Sequence, residues 1–217
     1  AGAGTQTAGL AFGGAVDPKG QTEQYDGSSW TEVNDMGTGR QQLGGCGTQT
    51  AALAAGGKSP SGPAVNNTET WDGTNWTEVN DLNTIRRALP AVGTSTASLA
   101  FGGIDGPGSK TAVTESWNGS SWTEVNDLNT SRLVGVAIGS HTSALYAGGN
   151  VSPSAQNELW NGGSWTEVGD LNTAREGGSP AGTTTAGLFA GGSGPAPVFS
   201  ATEEWSGSST TIKVLTD

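Results

Sequence analysis

Sulfur, histidine and basic side chains are scarce in this chain of 217 residues, which holds one Cys, one Met, one His and nine Lys and Arg together. Cys46, standing alone, excludes an internal disulfide and any multi-cysteine metal site. His141, equally alone, excludes a histidine-rich copper or zinc centre. Against the nine basic groups stand 20 Asp and Glu, for a formal charge of -11 and a pI near 4.3. Phosphate backbones and anionic lipid surfaces are repelled by such a chain, so no nucleic-acid partner is expected. No apolar run approaches the roughly 18 residues that span a bilayer, and no membrane insertion is expected. The first residues lack the basic and apolar regions of a secretion signal, while a start at Ala suits removal of an upstream segment. Only 33% of residues are hydrophobic and 13% charged, so the core has to be economical.

What is abundant is glycine, at 37 residues, and tryptophan, at eight against four Phe. Many tight turns and a few bulky anchors follow from those numbers. Regularly spaced Trp and Leu are not the pattern of a chain too polar to bury surface. Five related segments recur: "GTQTAGLAFGG" at 4, "GTQTAALAAGG" at 47, "GTSTASLAFGG" at 93, "GSHTSALYAGG" at 139 and "GTTTAGLFAGG" at 182. A period of 43 to 46 residues marks one supersecondary unit that buries its faces against its neighbours. Gly, Thr, Ser and Asn interrupt every candidate helix, and no long 3.6-residue period is present, so the units read as strands.

Each unit holds four short strands. The first is a small-residue stretch such as "RALPAVGTS" at 86–94, and the second is "TAGLAFGG" with Leu10, Leu53, Leu99, Leu145 and Leu188 in one register. In that strand the large residue shifts, as Phe12 and Phe101 or as Tyr146 and Phe189, which predicts that both faces are packed. "TEQY", "TETW", "TESW", "NELW" and "TEEW" form the third strand and "WTEVND" the fourth. Asp-Gly or Asn-Gly between them predicts a tight hairpin with positive φ at both residues. Tyr25 and Trp30 then face each other across it, a cross-strand pair contributing roughly 0.2–1 kcal/mol. Four-stranded units repeated radially are β-propeller blades. The expected fold is all-β: one five-bladed β-propeller of four antiparallel strands per blade, over 1–217, with blades at 1–36, 37–82, 83–128, 129–171 and 172–217.

The double glycines Gly13 and Gly14, Gly56 and Gly57, Gly102 and Gly103, Gly148 and Gly149, and Gly191 and Gly192 are each followed by an aromatic and, in most units, a Trp. This order resembles kelch and galactose-oxidase-type repeats, with an aromatic-to-Trp spacing two residues shorter. The resemblance implies the propeller fold; galactose-oxidase copper ligands are not recognisable. "NGSSWTEVNDLNT" is also similar in wording to repeats of structural or tail-appendage proteins of marine bacteriophages. By alignment Ala1 matches Gly44 and Asp217 matches Gly37, so the six positions equivalent to 38–43 are absent where the ring closes. Five units are then expected to close head to tail without exchanging a strand. Ala1 falls inside an inner strand, which suggests a natural chain continuing upstream.

One carboxylate per unit (Glu23, Glu69, Glu115, Glu158, Glu203) and an arginine after the fourth strand (Arg40, Arg86, Arg132, Arg175) invite an acid–base reading. Structural pairing is the better one, since a catalytic pair should break the symmetry rather than recur in every blade. The last unit has no such arginine, so Glu203 is expected to need another partner. Glu32, Glu78, Glu124 and Glu167 read as solvated groups that keep an edge strand from pairing with other chains. No dense Asp-x-Asp run supplies calcium ligands. His141 reads as a channel-lining or surface polar residue. No catalytic, cofactor-binding or metal-ligating residue is assigned, no cofactor is expected, and the chain is read as not an enzyme.

Variation concentrates after the double glycines, and a rigid ring presenting five unlike loops on one side suits binding. Asp17, Lys19, Lys58, Asp105, Lys110, Asn150 and Phe199 are the candidate contacts. The leading expectation is a non-enzymatic recognition or structural module on a virion or extracellular surface, meeting a glycan or protein within a larger assembly. An intracellular kelch-like adaptor is the alternative, and a lyase or hydrolase at the channel mouth the third.

Overall fold

The computed structural model describes residues 1–14, 20–59, 62–150, 154–194, 201–207 and 210–213. Five four-stranded antiparallel sheets follow one another along the chain, with no helix among the described residues. Blade I is β1 (Gly2–Thr5), β2 (Ala8–Phe12), β3 (Thr22–Tyr25) and β4 (Trp30–Val33). Blade II is β5 (Gly44–Thr48), β6 (Ala51–Ala55), β7 (Thr68–Trp71) and β8 (Trp76–Val79). After β9 (Arg86–Arg87), blade III is β10 (Ala91–Gly93), β11 (Ser98–Phe101), β13 (Thr114–Trp117) and β14 (Trp122–Val125), with β12 (Ile104–Asp105) inside its loop. Blade IV is β15 (Val136–Gly139), β16 (Ala144–Ala147), β17 (Asn157–Trp160) and β18 (Trp165–Val168). Blade V is β19 (Ser179–Thr183), β20 (Ala186–Ala190), β21 (Thr202–Trp205) and β22 (Thr210–Lys213). The first strands of all five surround one central cavity of about 590 Å³, which Gly2, Gly45, Ala91, Val136 and Ser179 line. This is a five-bladed β-propeller.

The hairpin aromatics pair as their spacing predicts. Tyr25 faces Trp30, with ring centroids 5.1 Å apart, and the Trp pairs 71/76, 117/122 and 160/165 lie at 5.3–5.5 Å. The turn itself differs from the expectation. Gly27 takes φ 97°, but Asp26 stays outside the positive-φ region. Its Oδ1 instead accepts from Ser28 N at 2.8 Å and Ser29 N at 2.9 Å, capping a four-residue loop. Asn118 and Asn161 do the same in their blades.

Blades stack face to face. Blades I to IV present a Leu face to the next blade and blades II to V a Trp face to the previous one, so Leu10 and Phe12 meet Ala52, Ala54, Trp71 and Trp76. Phe101 crosses the seam to lie 5.1 Å from Tyr146 and 4.7 Å from Trp165. Tyr146 and Phe189 point back toward the preceding blade, which is what a shift of one position along a strand does. Trp Nε1 groups tie the seams: Trp76 donates to Thr22 Oγ1 at 2.9 Å, and Trp122 and Trp165 donate to Thr68 and Thr114 at 3.0 Å. Asn34, Asn80 and Asn126 donate to the hairpin loop of the following blade at the outer rim.

Two expectations are corrected. The first strand of blade III does not run over 86–94. Arg86 and Arg87 leave that sheet and pair with Ile104 and Asp105 of their own blade's loop. The ends of the repeat array are also not sealed as expected. β6, β11 and β16 are buried on both faces, whereas β20 alternates exposed and buried residues and Trp30 is 52% exposed. Alternation is the mark of a sheet covered on one side only. Among the described residues no backbone hydrogen bond joins blade V to blade I.

Candidate functional site

Antiparallel connectivity places the β2–β3 type loops and the straps between blades at one end of the propeller, and the hairpins at the other. Each strap carries the arginine, and its pairing runs one repeat forward. Arg40 meets Glu69 at 2.8 Å, Arg86 meets Glu115 at 2.9 Å, Arg132 meets Glu158 at 3.0 Å and Arg175 meets Glu203 at 2.7 Å. Glu203 therefore has its arginine, contrary to the expectation that it lacks one. Glu23 is the glutamate without one, and it is exposed. Reading the pair within a unit rather than across the seam moves the vacancy to the wrong end of the array.

All four arginines are buried, and burial lowers the pKa of Arg40, Arg86 and Arg132. The guanidinium also fastens the base of the next blade's loop. Arg86 Nη1 donates to Gly102 O at 3.2 Å and to Val113 O at 2.6 Å, the two residues that open and close the blade III loop. Arg175 treats Gly191 O and Ala201 O in the same way, each at 2.9 Å. Meanwhile the arginine's own carbonyl accepts from the double glycine of the preceding blade, as Gly57 N of blade II to Arg86 O at 2.8 Å. A Cβ on Gly56 would sit 2.6 Å from that carbonyl, so the backbones approach as closely as they do only because glycine is there. The loops thus rise from a braced rim.

Inside the rim the straps hydrogen-bond to one another. Ala88 N donates to Gln42 O at 2.8 Å, Val134 N to Ala88 O at 3.4 Å and Gly177 N to Val134 O at 2.7 Å. Gln42, Ala88 and Val134 have φ of 57°, 54° and 54°, the only non-glycine positive values among the described residues. For a β-branched residue such as Val134 this is an outlier, with a strain of roughly 1–2 kcal/mol. The hydrogen-bond relay between straps offsets part of it. Outward of the relay the loops pair with the straps: Gln41 with Lys58, Arg87 with Ile104, and Glu176 with Ser193, while Asn150 N donates to Leu133 O at 2.8 Å.

The relay frames a mouth of about 280 Å³ lined by Gln42, Arg87, Ala88, Pro90 and Val134. Leu43, Leu89, Pro90 and Gly135 line both this mouth and the central cavity, so the two spaces adjoin. Val134 is 40% exposed there, and Arg87 Nη1 donates to Gln42 Oε1 at 3.0 Å across the rim. An apolar floor with an arginine and a glutamine at its edge suits a polar ligand with an apolar face.

Of the candidate contacts, Lys110 and Asn150 come together, Nζ to Oδ1 at 3.4 Å, across the seam between blades III and IV. Lys58 is half-buried on the blade II loop. Asp105 is committed to its own turn, its Oδ1 accepting from Gly108 N at 2.9 Å and Ser109 N at 2.7 Å. Asp17, Lys19 and Phe199 lie outside the described residues. His141 sits in the β15–β16 turn at the opposite end, where its carbonyl accepts from Trp160 Nε1 at 3.0 Å. Gln42, Arg87 and Val134 were not among the candidates. Their signal in the sequence is slight: the residues just after the recurrent arginine, Gln41-Gln42, Arg87-Ala88, Leu133-Val134 and Glu176-Gly177, differ in every strap.

Fold and mouth together define a β-propeller consistent with a binding or structural module. Neither a scan of protein-family models nor a search of curated proteins finds a match for the chain. No helix among the described residues is long and apolar enough to cross a membrane.

Proposed function

We propose that this chain is a non-enzymatic recognition scaffold whose loop-bearing end meets a glycan or a protein, on a virion or extracellular surface and within a larger assembly. The observation that carries the reading is the strained strap relay around the mouth. Backbone held in sparsely populated conformations persists where surrounding structure over-determines it, and such residues cluster at ligand-binding positions. Here the strain holds Val134 half in solvent beside Arg87, on a rim that the arginine–glutamate pairs brace. Invariant bracing with variable tips is how a rigid frame supports recognition by loops. The kelch-like order of double glycine and aromatics, and the wording shared with phage appendage repeats, support a scaffold role.

The test is a glycan array and an extracellular-protein array probed with the wild-type chain, Val134→Glu and Arg87→Ala. Binding that both substitutions abolish, with unchanged thermal stability, is the expected result. Binding indifferent to both, or catalytic turnover dependent on Arg87, would overturn it.

A further inference from the structure

The face of blade I that carries Tyr25, Trp30 and Glu23 has four internal counterparts, and each counterpart shows what covers it. On blade III the strap of blade II lies across the equivalent face. Asn83 N and Nδ2 donate to Glu115 Oε2 at 2.7 and 2.8 Å, Thr84 N donates to Oε1 at 3.3 Å, and Arg86 completes the carboxylate at 2.9 Å. Asn83 Nδ2 also reaches Trp122 O at 3.1 Å, while Leu82 is buried in the seam. The straps of blades III and IV repeat this recognition on Glu158 and Glu203, with Asn129 and Asn172 in the part of Asn83. What each glutamate binds is one short bent segment, Leu-Asn-Thr-x-Arg, read in the seam between blades I and II as Met36-Gly37-Thr38-Gly39-Arg40.

Glu23 and Trp30 present the same acceptors to solvent. The chain has five arginines, of which four are spent on their own seams and Arg87 donates to Gln42. A second copy of the chain would bring its own blade V, whose exposed Leu188 suits Trp30, but no free strap arginine for Glu23. The group that completes each internal carboxylate is an arginine, so the vacancy at Glu23 selects an arginine-bearing segment. We infer that the exposed Trp face of blade I is a docking site for an arginine-bearing Leu-Asn-Thr-x-Arg segment. Its guanidinium and main-chain N–H groups take Glu23, its asparagine takes Trp30 O, and its leucine covers the indole. Blade V keeps Thr202 buried at the register where Thr22, Thr68 and Thr114 receive a tryptophan N–H, so Thr202 is the partner of Trp30 once the seam draws together.

The experiment titrates the 217-residue chain with a rhodamine-labelled, C-terminally amidated synthetic peptide, LNTAR, the strap of residues 171–175. Saturable one-to-one binding by anisotropy is expected, together with protection of Trp30 from iodide quenching, assigned by its absence in Trp30→Phe. Affinity is expected to fall about tenfold or more in Glu23→Gln, and equally when the peptide arginine is replaced by citrulline. Because Glu23 is exposed, Glu23→Gln should melt with the wild type, which separates lost recognition from lost folding. Absence of binding overturns the inference. So does a free chain whose Trp30 already resists iodide, which means a ring sealed on itself, and so does self-association in sedimentation with no peptide affinity, which means a second copy is the occupant.

Discussion

Replacing Glu115 by Gln sets the forward-running arginine pair against its own exposed counterpart. Glu115 is fully buried and accepts four hydrogen bonds, from Asn83 N, Asn83 Nδ2, Thr84 N and Arg86 Nη2, at 2.7, 2.8, 3.3 and 2.9 Å. A glutamine has the same shape but carries an NH2 in place of one oxygen. Turned one way it points donor to donor at Arg86, and turned the other way at Asn83. Either orientation leaves the Arg86 guanidinium buried with no opposing charge. Breaking a buried pair from one side costs about 3–5 kcal/mol. For a chain of this size a loss of 1 kcal/mol lowers the melting temperature by roughly 2–4 °C, so Glu115→Gln should melt roughly 6–20 °C below wild type. Glu23→Gln removes the same group from the same register where it is exposed, and should stay within about 0.5 kcal/mol. Calorimetry at neutral pH, with urea titration as a second probe, reads both variants. If Glu115→Gln melts within about 2 °C of wild type, or Glu23→Gln loses as much, the pairs do not hold the blades together. In that case the arginine-bearing segment has no reason to seek Glu23.

Three further outcomes follow from the geometry. Val134→Gly removes a β-branched residue from φ 54° and should stabilise the chain by about 1 kcal/mol in urea titration, while weakening any ligand of the mouth. Thr68→Val takes the acceptor from the buried Trp122 Nε1 and should destabilise by about 1–3 kcal/mol, whereas Thr202→Val should change little in the chain alone. Burial pushes Cys46 from 9.0 up to about 12 and Tyr146 from 10.0 up to about 12, so the unfolded chain releases protons that the folded chain retains. Stability from these groups is intact below pH 9 and falls as pH rises toward 12, and Cys46→Ala with Tyr146→Phe should flatten that fall in urea midpoints taken across the window.

The blade was legible because its signals are local and repeated. The shared leucine register of the second strands, the Asp-Gly and Asn-Gly turns and the Tyr25/Trp30 spacing each fix a strand or a register within about ten residues, and the copies reinforce one another. The partner of Glu203 was not legible, because alignment shows that Arg175 and Glu203 recur but not that the strap of one blade lies on the next. The mouth was missed for a related reason. Gln42, Ala88 and Val134 look like ordinary strap residues, and only their adjacency around the axis turns three unremarkable positions into a relay. Arg86 and Arg87 read as the start of a strand because they precede one. Tertiary pairing with Ile104 and Asp105 draws them to the loop instead.

The seam between blades IV and V shows that the ties across a seam act as one unit. Blade V has Thr210 where blades I to IV have Trp in the fourth strand, and blade IV has Asn157 where the other blades have Thr in the third. With no indole N–H to receive, Asn157 turns its Nδ2 to Gly169 O at 2.8 Å within its own blade. Position 169 is in turn the one that holds the rim asparagine in blades I to III, and here it is glycine. Three departures therefore coincide at one interface: the indole, its hydroxyl acceptor and the outer-rim amide. The Arg175–Glu203 pair and Phe189 remain, and they hold that seam. Residues that change together across a boundary, and stay together elsewhere, identify the seam rather than the blade as the unit that this sequence specifies. By that measure Thr202 and Trp30 are the two halves of one seam, since each retains the residue that its neighbours keep only when the opposite half is present.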